Sequence, residues 1–238
     1  SEIDFWGLIS SFYSRRIKRI FPALLSCLII SSVVLCFFNE SPEYEIKSAI
    51  TSVFGLSNIY FIKISMDYFS QTAEINPFMH TWSLGVEEQF YFLFPLIFWF
   101  SGFGANKKFS EKKLFIRIAS LAFVSLIGFI FLFQNSQTLT YFFMPTRFWE
   151  IATGCLIFIL FQKRKSIEEF IGKVPPIFIL ILIIGVMYLP MAWARASTVA
   201  VVILSAILIV SIKKGTISYV FFANPKIVYI GLISYSLY

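Results

Sequence analysis

The chain is divided into long apolar runs with little charge inside them. Seven can be read, at 20–38, 48–64, 89–103, 114–133, 143–161, 176–193 and 197–212, and an eighth starts near Lys226 and runs to Tyr238. Each of the seven is close to the roughly 20 residues a helix needs to cross a hydrocarbon layer. Inside that layer only helices and closed barrels satisfy every backbone N–H and C=O. Barrel strands alternate polar and apolar residues, whereas these runs are continuous. The pattern predicts an all-α fold: a polytopic transmembrane helical bundle of about seven spanning helices plus a truncated eighth, in one domain over 1–238. Composition agrees, with 58% hydrophobic and 14% charged residues, where a soluble domain carries about a quarter charged.

A net charge of +7 raises the question of nucleic acid. The distribution argues against it. The basic residues sit in short clusters between apolar runs, at 15–19, 107–117, 163–165 and 213–214, where cytoplasmic loops carry them. The expected partner is the lipid bilayer, with the basic loops cytoplasmic. Cys27, Cys36 and Cys155 all lie within apolar runs and form no CxxC pair, so no disulfide framework is implied.

Sidedness alternates cleanly from residue 107 onward. Upstream it does not close. A cytoplasmic 15–19 puts 39–47 outside, and a cytoplasmic 107–117 then needs an odd number of crossings, yet two apolar runs lie between. Either 48–64 does not cross, or 65–88 adds a partial crossing, or the basic loop breaks the rule. The run 48–64 is the weakest, holding Ser48, Thr51, Ser52, Gly55, Ser57, Asn58 and Lys63. A re-entrant path within 65–88 is the expectation, because irregular backbone at membrane depth is tolerated where protein or a wet cavity surrounds it.

Few polar groups in this setting could do chemistry. The run RRIKR places Arg15, Arg16, Lys18 and Arg19 just before an apolar segment. It reads either as a positive-inside anchor or as a phosphate site, since the guanidinium fork grips phosphate bidentately. His80, the one histidine, and Glu87 are two helical turns apart, with Glu88 alongside. They are interfacial residues before a spanning helix, or a general acid/base set. Arg147 and Glu150, three apart, form a local ion pair or line a polar cavity open to the exterior. Trp82, Tyr91, Trp99, Trp149, Tyr188 and Trp193 read as an aromatic belt. No Walker A loop, GxGxxG, GxSxG or metal-spaced His/Cys set occurs, so no metal is expected.

Five stretches resemble one family. FYSRRIKRIFPALL at 12–25, LSNIYFIK at 56–63, NPFMHTWSLGVEEQFYFLFPLIF at 76–98, MPTRFWEIATGCL at 144–156 and ISYSLY at 233–238 are similar, in order and spacing, to blocks of the acyltransferase-3 family. These are integral-membrane acyltransferases that O-acylate bacterial surface polysaccharides and related glycans. The resemblance covers essentially the whole chain. It implies transfer of an acyl group, usually acetyl, from cytoplasmic acyl-CoA (acetyl-CoA) to a glycan hydroxyl, such as lipopolysaccharide O-antigen, exopolysaccharide or peptidoglycan, at the inner (plasma) membrane. It implies that Arg15, Arg16 and Arg19 belong to the donor side, with Arg16 and Arg19 holding CoA phosphates. Glu87 would belong to the embedded polar core, and Arg147 and Glu150 to the acceptor side. It also implies a fragment. The family's first two helices, one carrying an Arg and a His, would precede Ser1, and an LWHWP continuation would follow Tyr238.

Acyl transfer from thioester to hydroxyl needs a base for the hydroxyl proton and donors for the developing oxyanion. With the family histidine expected outside the chain, Glu87 is the supporting carboxylate and His80 a further candidate. Two other readings stand beside this one. One is a multi-pass transporter or flippase of a lipid-linked glycan, with Glu87, Arg147 and Glu150 lining its path. The other is an inactive fragment of an acyltransferase.

Overall fold

The computed structural model describes residues 5–66, 76–102, 107–161, 174–212 and 217–237. Among these residues the regular structure is helical and no strand occurs. The chain opens with α1 (Phe5–Phe38), 34 residues long. Next come the short helices α2 (Glu43–Val53) and α3 (Ser57–Met66). The 20-residue α4 (Thr81–Phe100) follows a turn at 77–80. α5 (Lys107–Asn135), the one-turn α6 (Gln137–Phe142) and α7 (Met144–Phe161) follow. α8 (Pro176–Met187), a 3-10 turn at Met191–Trp193, α9 (Ala194–Ser211), α10 (Ile217–Phe222) and α11 (Pro225–Leu237) complete the order.

Among the described residues, three helical stretches are long and apolar enough to cross a membrane: Trp6–Phe38, Glu111–Asn135 and Met191–Ser211. α4 and α7 have the length for a crossing but carry charged side chains. The outward surfaces are apolar, with Ile29, Ile30, Val33, Phe37, Phe123 and Phe131 all exposed. Contiguous exposed apolar surface on this scale fits a hydrocarbon solvent rather than water.

The boundaries correct three expectations. RRIKR does not precede a helix but lies inside α1. Glu87 and Glu88 likewise do not precede a spanning helix: α4 begins at Thr81 and encloses both. The run 48–64 is not one helix, because the chain breaks at Phe54–Leu56, where Gly55 takes φ +66°. The two pieces, of 11 and 10 residues, are each about 15 Å long, half of the roughly 30 Å hydrocarbon layer.

The break also closes the crossing count. Tyr13 meets the second half of α4, while Ile20, Leu24 and Leu28 cluster with Leu84, Phe78 and Ala49. α1 and α4 are therefore antiparallel, so the end of α1 and the start of α4 lie at the same end of the bundle. The chain between them, which includes α2 and α3, therefore makes no net crossing, as the count requires if 48–64 does not span. Of the stretch expected to be irregular, 76–80 forms a turn and 81–88 is helical; residues 67–75 lie outside the described set.

One hydrogen bond fixes α1 against α4. Pro95 lies inside α4 and has no N–H, so the Tyr91 carbonyl four residues earlier loses its helical partner. The Tyr13 hydroxyl donates to that carbonyl at 3.2 Å. A residue of α1 thus fills the vacancy a proline leaves in α4.

The main core joins α4, α5 and α7 through Phe90, Leu114, Ile118, Phe129, Phe148 and Trp149. Ser125 in mid-α5 donates to the Pro145 carbonyl (2.5 Å) and accepts from the Trp149 N–H (3.1 Å), pinning the start of α7.

Candidate active site

The first polar cluster lies between α1 and α4. Helical periodicity divides RRIKR into two faces. Tyr13, Arg16 and Ile20 share the face toward α4, whereas Arg15, Lys18 and Arg19 point away and are exposed. Arg16 is half-buried, and its guanidinium stacks over the Tyr91 ring. Tyr91 is one turn beyond Glu87 and Glu88, so all three project from the same side of α4. The Arg16 charge acts on both carboxylates. Both are half-buried.

The second cluster joins α4, α6 and α7. Arg147 Nε donates to Glu150 Oε1 at 3.1 Å, and the two side chains are only 17% and 21% exposed. The Arg147 guanidinium lies 5.1 Å from the Trp82 ring centre and 5.0 Å from that of Tyr141. Those rings are themselves 4.5 Å apart. A charged pair held by two aromatic faces gains cation–π attraction, worth more as water is excluded. It is also preorganised to present a donor and an acceptor side by side.

A buried amide network sets the spacing of these elements. Asn58, fully buried in α3, donates through Nδ2 to the Phe142 carbonyl of α6 (3.1 Å) and accepts from Gln89 Nε2 of α4 (2.8 Å). The same Gln89 nitrogen donates to the Gly55 carbonyl at 3.1 Å, capping the broken backbone. Ser52 and Thr81 bond across α2 and α4 at 2.6 Å, and Ser57 donates to the Thr81 carbonyl at 2.7 Å. Gly85 makes this approach possible: a Cβ there would lie 2.8 Å from Asn58 Oδ1 and 3.0 Å from Ser57 Oγ. At Gly55 a Cβ would meet the Glu88 Cβ at 3.0 Å, so the break rests directly against a carboxylate-bearing residue.

The predicted site residues thus fall into separate places. Glu87, Glu88 and Arg16 come together. Arg147 and Glu150 come together through Trp82, on the side of α4 roughly opposite Glu87, about 7–8 Å along the axis by helical rise. His80 stands exposed in the turn before α4, with Nδ1 3.0 Å from the Pro77 carbonyl. A carbonyl only accepts, so Nδ1 is the donor in this contact. His80 keeps its alignment with Glu87 because α4 runs unbroken through Gly85. The two stand about 10 Å apart along the axis by helical rise, beyond a direct hydrogen bond. Among the described residues no group of three or more His, Cys, Asp or Glu is placed to hold a metal.

Sequence reasoning missed Tyr13, Asn58, Gln89 and Tyr141 as contributors. Trp82 and Tyr91, read as part of an aromatic belt, each also lie against an arginine. Signals existed for some. Ser48 and Ser52 are one turn apart in an apolar run, which marks a helix face needing polar partners. Pro95 marks a carbonyl in want of a donor.

The chain is thus a helical bundle of the membrane type with cations and carboxylates held among its helices, positions that are costly in hydrocarbon. The chain belongs to the acyltransferase-3 family, whose model, described as an acyltransferase domain, matches residues 6–238. It is 33% identical over 163 residues to the O-acetyltransferase OatA of Staphylococcus aureus, covering 66% of this chain and 26% of that protein. A putative O-acetyltransferase of Staphylococcus aureus is 27% identical over 252 residues, covering 100% of this chain and 41% of the relative. An uncharacterized protein of Haemophilus influenzae is 29% identical over 167 residues, covering 67% of this chain and 66% of that protein. The chain therefore aligns with about a quarter of the length of OatA. No solved structure matches it.

Proposed function

We propose that the protein transfers an acetyl group from acetyl-CoA to a hydroxyl of a cell-surface glycan such as lipopolysaccharide O-antigen, exopolysaccharide or peptidoglycan. Family membership and O-acetyltransferase relatives support acyl transfer to oxygen. The observation that carries the donor assignment is the two-faced α1. Arg15, Lys18 and Arg19 crowd one exposed face. Like charges one turn apart repel, so this face gains from a polyanion. Guanidinium forks suit the phosphates of CoA. The opposite face of the same helix meets Glu87 and Glu88. The basic ends lie in the cytoplasm, where acetyl-CoA is found, and the bundle sits in the plasma membrane.

In the reaction the glycan hydroxyl oxygen attacks the thioester carbonyl. A C–O bond forms, the C–S bond breaks, and the CoA thiolate leaves and takes a proton. A base must accept the hydroxyl proton, and cations must stabilise the oxyanion. Within this chain the carboxylate of Glu87 and the imidazole of His80 are the groups assigned to take the proton. Arg147, beside the Trp82 and Tyr141 rings, and Glu150 form the acceptor-side pair and bond sugar hydroxyls.

The test is transfer of radiolabelled acetyl from acetyl-CoA to extracted surface glycan by membranes containing the complete gene product. Label in the glycan above that of empty membranes is expected. Arg15→Ala/Arg19→Ala should raise the donor KM by about tenfold or more, the scale of lost charge-assisted bonds. No label above background with all three glycan classes would defeat the proposal.

A further inference from the structure

The five-residue basic run splits by face, and that split assigns separate tasks. Arg16 is set apart from its neighbours by three features: it is half-buried, its guanidinium stacks on Tyr91, and Tyr91 shares a face with Glu87 and Glu88. Tyr13, one turn earlier on the same face, is tied to the Tyr91 carbonyl, which fixes the height of Arg16 against α4. A phosphate ligand must be reachable from solvent, and the exposed cations of the run are Arg15, Lys18 and Arg19. Two adjacent carboxylates on one helix, half out of water, repel each other and lose hydration. A cation fixed beside them offsets both costs.

We infer that Arg16 is a positioning residue, the counter-ion that holds the Glu87–Glu88 pair in place on α4, and that it is not a ligand of the donor phosphates. The loss of Arg16 therefore acts through the carboxylates, whereas the loss of Arg15 and Arg19 acts on donor binding. The kinetic part of this inference rests on the acyl-transfer reading; the stability part does not.

The experiment uses the complete protein in detergent and in proteoliposomes. The variants are Arg16→Met, Arg16→Lys, Glu88→Gln, Arg16→Met/Glu88→Gln and Arg15→Ala/Arg19→Ala. Acetyl transfer gives kcat and donor KM, and thermal unfolding gives Tm. Arg16→Met is expected to lower kcat by about tenfold or more with donor KM nearly unchanged. It should also lower Tm. Arg16→Lys should keep part of kcat, because the charge stays while the stacked plane is lost. Adding Glu88→Gln to Arg16→Met should recover Tm and part of kcat, since one fewer buried charge lacks a partner. Arg15→Ala/Arg19→Ala should do the reverse, raising donor KM and leaving Tm within error.

A donor KM raised by Arg16→Met as far as by Arg15→Ala/Arg19→Ala would overturn the inference. So would Tm losses that simply add in the double variant. If Arg16→Met accumulates poorly, its yield against that of Arg16→Met/Glu88→Gln decides: recovery supports the counter-ion, and no recovery refutes it. If the wild-type protein transfers no acetyl, the acyl-transfer reading fails, and the Tm cycle still decides the role of Arg16.

Discussion

Gly85→Ala should destabilise this protein even though it places alanine in the middle of a helix. In an open helical position that change is favourable by about 1 kcal/mol, because glycine loses more backbone entropy and exposes more backbone. At Gly85 the new Cβ would sit 2.8 Å from Asn58 Oδ1, 3.0 Å from Ser57 Oγ and 3.3 Å from the Asn58 backbone nitrogen. Asn58 has nowhere to retreat, since it is fully buried and bonded to Gln89 and to Phe142. Overpacking of this kind costs about 1–3 kcal/mol, and each buried partner pulled out of bonding range about 1–3 kcal/mol more. After the propensity gain, the net destabilisation is about 1–5 kcal/mol. Gly128 in α5 is the matched control, for its Cβ would meet nothing within 4 Å. Gly128→Ala should stabilise by up to about 1 kcal/mol. Thermal unfolding in detergent, followed by tryptophan fluorescence, reads both. For a chain of this size about 1 kcal/mol corresponds to roughly 2–4 °C, so Gly85→Ala should lower Tm by about 2–20 °C and Gly128→Ala raise it slightly. If both variants shift upward together, the close approach of α3 to α4 is wrong.

Three further perturbations separate parts of the account. Tyr13→Phe should cost about 1–3 kcal/mol in the same unfolding assay by orphaning the Tyr91 carbonyl. Adding Pro95→Ala should recover part of that loss by supplying the missing N–H, and a strictly additive double variant would contradict the pairing. In a background freed of Cys27, Cys36 and Cys155, cysteines at Ser41 and Pro77 should label with an impermeant maleimide from one face, and a cysteine at Lys112 from the other. Opposite faces for 41 and 77 would restore a net crossing by α2 and α3. Arg147→Lys should raise the acceptor KM by about fivefold or more without changing the donor KM, because lysine keeps the charge but loses the plane that Trp82 and Tyr141 hold. A change in donor KM instead would move this pair to the donor side.

The fold class was legible because continuous apolar runs leave the backbone little choice in lipid. Helix ends were less so. Apolar content at 48–64 gave no warning that the chain stops at Gly55, because a left-handed glycine is invisible in an average of hydropathy. The start of α4 was masked in the same way: Glu87, Glu88 and Gln89 depress hydropathy, yet they are held inside the helix by Arg16 and Asn58 from other elements. The split of RRIKR was legible in principle, since 13, 16 and 20 fall on one face and 15, 18 and 19 on another. What no periodicity supplies is the partner. Trp82 meets Arg147 and Tyr141 across a separation of about sixty positions, and only tertiary packing brings them together.

The most direct test of acyl transfer by this bundle is vectorial. The complete protein in sealed, oriented vesicles receives radiolabelled acetyl-CoA on one side and glycan on either. Label should enter the glycan only when acetyl-CoA is on the face where a cysteine at Lys112 reacts, and Arg15→Ala/Arg19→Ala should demand more donor for the same rate. Equal labelling with acetyl-CoA supplied to the opposite face, in vesicles shown to be sealed, would contradict a donor site built on the basic face of α1.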